Sequence, residues 1–152
     1  MAYPIRTAVL TDLGALQDLF RRSSLSNDGD RMSLFEHPEA LVLDDVGVRE
    51  GRTRIALVDE QIVGFATLRP VGNAVELDDL FVDPDFMRRG IAGGLMRDAA
   101  GLARAQGVAR IEVTANDHAL AFYEQAGFVE KGAIETDFGS GTRMHLTIMP
   151  SR

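Results

Sequence analysis

The stretch Val82-Asp83-Pro84-Asp85-Phe86-Met87-Arg88-Arg89-Gly90-Ile91-Ala92-Gly93-Gly94 places two arginines and three glycines at the opening of an apolar helical stripe. A helix leaves its first N–H groups unpaired and carries partial positive charge there, and glycine allows close approach to the backbone. The chemistry this permits is anion binding. The same glycines could instead serve only tight helix packing; the flanking arginines favour the anion. A Walker loop is excluded because no Lys-Ser or Lys-Thr follows, and a dinucleotide fingerprint lacks its third glycine. Asp78 and Asp79 invite a metal, yet adjacent strand residues face opposite sides unless a bulge intervenes. His37, His118 and His145 are scattered without ligand spacing and read as surface or packing residues. Asp28, Asp30 and Glu36 read as a solvated acidic face.

The loop needs a strand before it and a helix after it, and the pattern supplies both. Residues 75–82 form a strand that stops at Asp83-Pro84, and residues 90–106 carry Ile91, Leu95, Ala99, Leu102 and Ala103 as one stripe, closed by Gly107. In that strand the apolar residues Val75, Leu77, Leu80 and Val82 change phase after Leu77, which is the mark of a β-bulge. Upstream, residues 5–8 read as a strand, and Thr11-Asp12 cap a helix bearing Leu13, Leu16, Leu19 and Phe20. A weaker helix spans residues 31–35. Residues 54–58 and 62–68 make a hairpin about Asp59-Glu60-Gln61, and residues 70–73 a turn. After Gly107, Ile111, Val113 and Ala115 alternate with Arg110, Glu112 and Thr114 in a half-buried strand; a short helix at 118–126 and strands at 128–134 and 142–149 follow. The order is β-α-α-β-β-β-α-β-α-β-β, an α/β (α+β) content with a largely antiparallel sheet.

Composition narrows the function. The 152 residues fit one domain, 1–152, able to bury roughly 70 % of its unfolded surface. A net charge of −7 argues against a nucleic-acid partner and mildly favours cationic substrates. The chain has no apolar run of about 18 residues, and residues 1–6 lack a signal-peptide core, so no membrane association and a cytoplasmic location are expected. The absence of cysteine excludes disulfides, thiolate metal sites and a thiol nucleophile.

The segment from Met87 resembles the pyrophosphate loop of the GNAT N-acetyltransferases, Gln/Arg-x-x-Gly-x-Gly/Ala, with Gly90 and Ala92 at the small positions and Met87 where the family has Gln or Arg. A second segment, Asn116-Asp117-His118-Ala119-Leu120-Ala121-Phe122-Tyr123-Glu124-Gln125-Ala126-Gly127-Phe128, is similar to the family pattern Asn-x-x-Ala-x-x-Phe-Tyr-x-x-x-Gly-Phe at every fixed position. The resemblance implies a GNAT fold: a mixed, mostly antiparallel sheet of six to seven strands flanked by about four helices, with splayed strands at an acetyl-CoA cleft. It implies acetyl-CoA as co-substrate, no metal, and backbone contacts from Arg88, Arg89, Gly90, Ile91, Ala92 and Gly93 to the pyrophosphate. Leu80, Phe81 and Val82, beyond a bulge around residues 78–80, would meet the pantetheine arm, and Asn116, Phe122 and Tyr123 would complete the cofactor site.

Acyl transfer to an amine needs a neutral amine, support for the developing oxyanion and a proton for the departing sulfur. By resemblance, Tyr123 supplies that proton and Glu76 is the general base. Glu112, similarly placed to the base of protein N-terminal acetyltransferases but one residue nearer Asn116 than that pattern has it, is the rival. Glu76 as a solvated strand carboxylate or an arginine's partner is the alternative reading. The expected activity is direct acetyl transfer to a primary amine on a small molecule or peptide, and family members of this size are often homodimers. A non-catalytic acyl-CoA-binding regulatory module on the same fold is the second reading, and an interaction scaffold the third. The acceptor's identity falls to residues 25–48, where loops vary.

Overall fold

The computed structural model describes residues 3–26, 38–136 and 139–149. The helix expected at 31–35, His37, and the acidic Asp28, Asp30 and Glu36 lie outside them. Strands β1 (Ile5–Thr7), β2 (Thr53–Val58), β3 (Gln61–Val71), β4 (Ala74–Val82), β5 (Arg110–Ala115), β6 (Val129–Thr136) and β7 (Gly139–Thr147) form a sheet ordered β1-β2-β3-β4-β5-β7-β6. The described helices are α1 (Leu13–Leu25), α2 (Val46–Arg49), α3 (Ile91–Ala105) and α4 (Leu120–Gln125). β4 and β5 run parallel, whereas β1 with β2, β2 with β3, β5 with β7 and β6 with β7 are antiparallel. This is the mixed, mostly antiparallel α/β sheet that the sequence leads one to expect.

The chain divides into two compact units, Met1–Thr67 with Asp79–Leu95, and Leu68–Asp78 with Met96–Arg152. In the first, Ala8, Leu16, Leu19, Val48, Ile55 and Phe65 form a buried cluster, with Phe20 and Phe81 packed against it. Phe81 meets Phe20 edge-on at 5.0 Å between ring centroids and stacks on Phe65 at 5.5 Å. Gly64 on β3 lets the start of α3 come close: a Cβ there would lie 2.9 Å from Ile91 Cγ2, 3.1 Å from the Phe81 carbonyl and 3.2 Å from Leu95 Cδ1. In the second unit the expected alternation holds, with Ile111, Val113 and Ala115 buried on one face of β5 and Arg110, Glu112 and Thr114 on the other. Gly107 ends α3 in the left-handed region at φ +72°, and the Val108 N–H reaches back to the Ala103 carbonyl, the C′ role read from the sequence.

Several local expectations are corrected. Asp12 does not cap α1 with its side chain; its carboxylate turns back to the Val9 N–H at 2.8 Å and pairs with Arg6. The β2–β3 turn is the two-residue Asp59-Glu60, both left-handed, so Gln61 already belongs to the strand. Pro70 lies inside β3 rather than in a turn, because proline is tolerated at a ladder position that asks for no N–H donor. The described register shifts fall at Ala56/Leu57 and Glu130/Gly132. The β4–β5 register ends at Glu76, short of residues 78–80.

Because Gly64 faces backbone and two buried side chains, Gly64→Ala should cost about 1 to 3 kcal/mol through overpacking. Urea unfolding that shows no loss of stability would contradict so close an approach.

Candidate active site

The loop after β4 is anchored before it is shaped. Asp83, at 1 % exposure, donates its N–H to the Val63 carbonyl at 2.8 Å and accepts the Asp85 N–H on its side chain at 3.0 Å, opening the short 3-10 turn Pro84–Phe86. Both its carboxylate oxygens take a bidentate grip from Arg22 of α1, at 2.9 and 3.0 Å. That guanidinium, followed in effect by the Asp85 N–H, outweighs burial and holds Asp83 below its ordinary carboxylate value. Beyond the turn the backbone enters the left-handed region twice, at Arg88 (φ +63°) and Gly90 (φ +78°). The Tyr3 hydroxyl donates to the Arg89 carbonyl at 2.8 Å, and the Arg89 guanidinium lies 4.9 Å from the Phe86 ring centroid. The first intrahelical donor of α3 is Gly94, bonded to the Gly90 carbonyl at 3.0 Å. The amides of Gly90, Ile91, Ala92 and Gly93 therefore precede the helical ladder, while the buried Ile91 side chain pins that turn to Gly64. Exposed cationic side chains at Arg88 and Arg89 and a helix N-terminus suit a pyrophosphate. Met87 is exposed, and Leu80, Phe81 and Val82 are half-buried.

In the second unit, Glu76 and Glu112 stand opposite each other in the parallel β4–β5 register. Glu76 is held bidentately by Arg143 of β7, at 2.6 and 2.9 Å, and Arg143 also donates to Thr114 Oγ1 at 2.9 Å. Glu112 accepts from Lys131, with Arg110 at 3.6 Å and Arg143 at 4.0 Å. The Lys131 bond, ahead of burial and the other cations, keeps Glu112 below the usual carboxylate range, which makes it a weak base. Asp78 is clasped by Arg69 at 2.9 and 3.1 Å. His145, across the β5–β7 register from Glu112, has a buried Nδ1 with no hydrogen-bond partner among the described residues, whereas His118 is exposed.

Tyr123 of α4 is 6 % exposed and lies between Phe122 and Phe128, each at 5.3 Å between centroids. Burial pushes its phenol from the ordinary tyrosine value up to about 12. Asn116 turns its Oδ1 to the Ala119 N–H at 3.1 Å and shapes the entry to α4. Gly127, at φ +100°, closes that helix.

Arg22, Asp83 and Arg143 were not singled out by sequence reasoning. For Asp83 a signal existed, an Asp before Pro at a strand end, which is a capping arrangement. Arg143 gave none.

The model of the acetyltransferase (GNAT) family matches residues 15–128, and the chain belongs to that family. Among curated relatives it is similar to a thialysine N-epsilon-acetyltransferase of Caenorhabditis elegans, 32 % identical over 83 residues, covering 49 % of this chain and 52 % of the relative. It is also similar to the N-alpha-acetyltransferase RimI of Mycobacterium tuberculosis, 37 % identical over 92 residues, covering 57 % of this chain and 52 % of that protein. These matches span about half the length of the curated relatives. The fold is shared with a PaiA N-acetyltransferase from Thermoplasma acidophilum solved with coenzyme A, at a TM-score of 0.75, 22 % identity, and 97 % and 99 % coverage of the two chains.

Since Asp83 is lowered in the folded state, the stability its pairing gives is complete above the ordinary carboxylate value of about 4 and is lost as pH falls through the lowered one. Asp83→Asn should cost about 2 to 3 kcal/mol at neutral pH, and that deficit should shrink as pH falls below the ordinary carboxylate value of about 4. Equal deficits at pH 7 and pH 3 in denaturant unfolding would refute the pairing.

Proposed function

We propose that this chain is a cytoplasmic N-acetyltransferase, a GNAT domain over residues 1–152 that moves the acetyl group of acetyl-CoA to a primary amine on a small molecule or peptide by direct attack. The observation that carries this reading is the loop between Asp83 and Gly94, where two left-handed residues, Arg88 and Gly90, lead into four amides ahead of the α3 ladder. Acetyl-CoA would supply the activated acyl group as a thioester. Arg88, Arg89, Gly90, Ile91, Ala92 and Gly93 would hold its pyrophosphate. The relatives named for N-epsilon and N-alpha acetylation support an amine acceptor.

Glu76 would accept the proton of the incoming amine through water, since both its oxygens already take N–H groups from Arg143. Tyr123 would donate from Oη to the departing sulfur. A phenol at about 12 is a weaker acid than a thiol at about 8.5, so its role is first a hydrogen bond to developing charge rather than early proton release. The engagement of both candidate bases favours the second reading, a regulatory acyl-CoA-binding module. Thiol release from acetyl-CoA, measured against polyamines, amino acids, aminoglycosides and N-terminal peptides, separates the two: coenzyme A binding without turnover on any amine selects the module.

Gly90 has open space around a notional Cβ but a left-handed backbone. A β-branched residue there strains the loop without a clash, so Gly90→Val should leave the fold intact and weaken coenzyme A binding by about tenfold or more. Met87→Gln should bind as the parent or better. Normal affinity of Gly90→Val in calorimetry would remove the loop assignment.

Tyr123→Phe keeps the aromatic packing and loses only the hydroxyl. Its kcat should fall by about 10²-fold with little change in acetyl-CoA affinity. Unaltered turnover, with chemistry rate-limiting, would leave Tyr123 a packing residue.

A further inference from the structure

The parallel register between β4 and β5 covers only Ala74 with Arg110, Val75 with Ile111 and Glu76 with Glu112. Leu77 and Asp78 on one strand, and Val113, Thr114 and Ala115 on the other, lie beyond it, while β5 stays paired with β7 as far as Ala115 and Thr142. The ladder thus stops at a rung of two carboxylates. Adjacent strands lie about 4.8 Å apart, so like charges face to face on them repel.

Arg143 answers that repulsion from a third strand. It sits opposite Thr114 on β7, bonds Thr114 Oγ1 on β5, and continues to both oxygens of Glu76 on β4, with Glu112 at 4.0 Å. One side chain therefore ties β7 across β5 to β4 at the last paired rung. Its other charged neighbours already have partners: Glu112 takes Lys131 and Arg110, and Arg69 takes Asp78. The planar fork explains why arginine serves, because three acceptors on two strands are reached by one rigid group; lysine has no such geometry.

We propose that Arg143 is a positioning residue for the acyl-pantetheine arm of coenzyme A: by fastening β4 to β7 across β5 at Glu76, it fixes where β4 and β5 stop pairing. This rests on the acetyl-CoA reading above. On that reading the arm would enter where β4 and β5 no longer pair, beyond the Glu76 rung, and the pyrophosphate would lie on the Arg88 to Gly93 amides, so the two ends of the ligand would respond differently to loss of Arg143.

Calorimetry with two probes tests this: coenzyme A, and ADP, which carries a pyrophosphate and no pantetheine arm. Arg143→Met should weaken coenzyme A by about tenfold, the loss of a bidentate charge-assisted contact, and leave ADP unchanged. Arg143→Lys, which keeps the charge without the fork, should recover only part of the loss and serves if the Met variant is too unstable to titrate. Glu76→Gln should fall in the same direction. Equal weakening of both probes would mean a general structural role and would overturn the proposal, as would unchanged coenzyme A affinity in Arg143→Met. If the unmutated chain binds neither probe, the cofactor reading itself fails and takes the proposal with it, a result distinct from any seen only in the variants.

Discussion

The ion pair between the half-exposed Arg22 and the buried carboxylate of Asp83 is the constraint on which the rest of the loop depends. A carboxylate at 1 % exposure is tolerated only when its lone pairs are filled, and here Arg22 and the Asp85 N–H fill them. Because the Asp83 amide is fixed to Val63 at the same time, the end of β4, the body of α1 and the first turn of the loop meet at one residue. The left-handed turns at Arg88 and Gly90 begin from that fixed point. At the other end of the loop, the Tyr3 hydroxyl on the Arg89 carbonyl and the buried Ile91 against Gly64 complete the anchoring of the amides ahead of α3.

The parts of the molecule that were legible in the sequence are those governed by neighbours along the chain. The α3 stripe, its Gly107 terminus and the alternation of β5 each repeat with the period of their element, so a window of a few residues contains the whole cause. The start of α3 directly behind a glycine-bearing loop was readable for the same reason, since Gly90 and the first residue of the stripe, Ile91, follow in succession. Asp12 was misread because its carboxylate had two local choices, and the bond to the Val9 N–H, assisted by Arg6, won. Pro70 was misread because turn propensity carries no information on which ladder positions lack a donor.

The candidate site was only half legible. Glu76 and Glu112 could be named from resemblance, but the charges that engage such carboxylates come from far along the chain: Arg143 is 67 positions from Glu76, as Arg22 is 61 from Asp83. No periodicity announces such pairs. Glu112 shows the consequence, since a residue that reads as a plain base candidate is made a poor proton acceptor by Lys131. Tyr123 is the converse: burial among apolar rings makes its phenol a weaker acid, and those rings, Phe122 and Phe128, are close along the chain.

The irregularity in β6 between Glu130 and Gly132 accompanies two effects at once. It sets Lys131 out of the regular pairing with β7 and toward Glu112. It also breaks the flatness of the outermost strand, every residue of which is exposed and which carries the apolar side chains of Val129 and Ile134. An open edge of that kind invites templated β-stacking into aggregates, and a kinked, charged rung withholds the straight row of donors and acceptors that such growth requires. Colloidal stability and the electrostatics of the carboxylate rung are therefore tied to the same one-residue insertion.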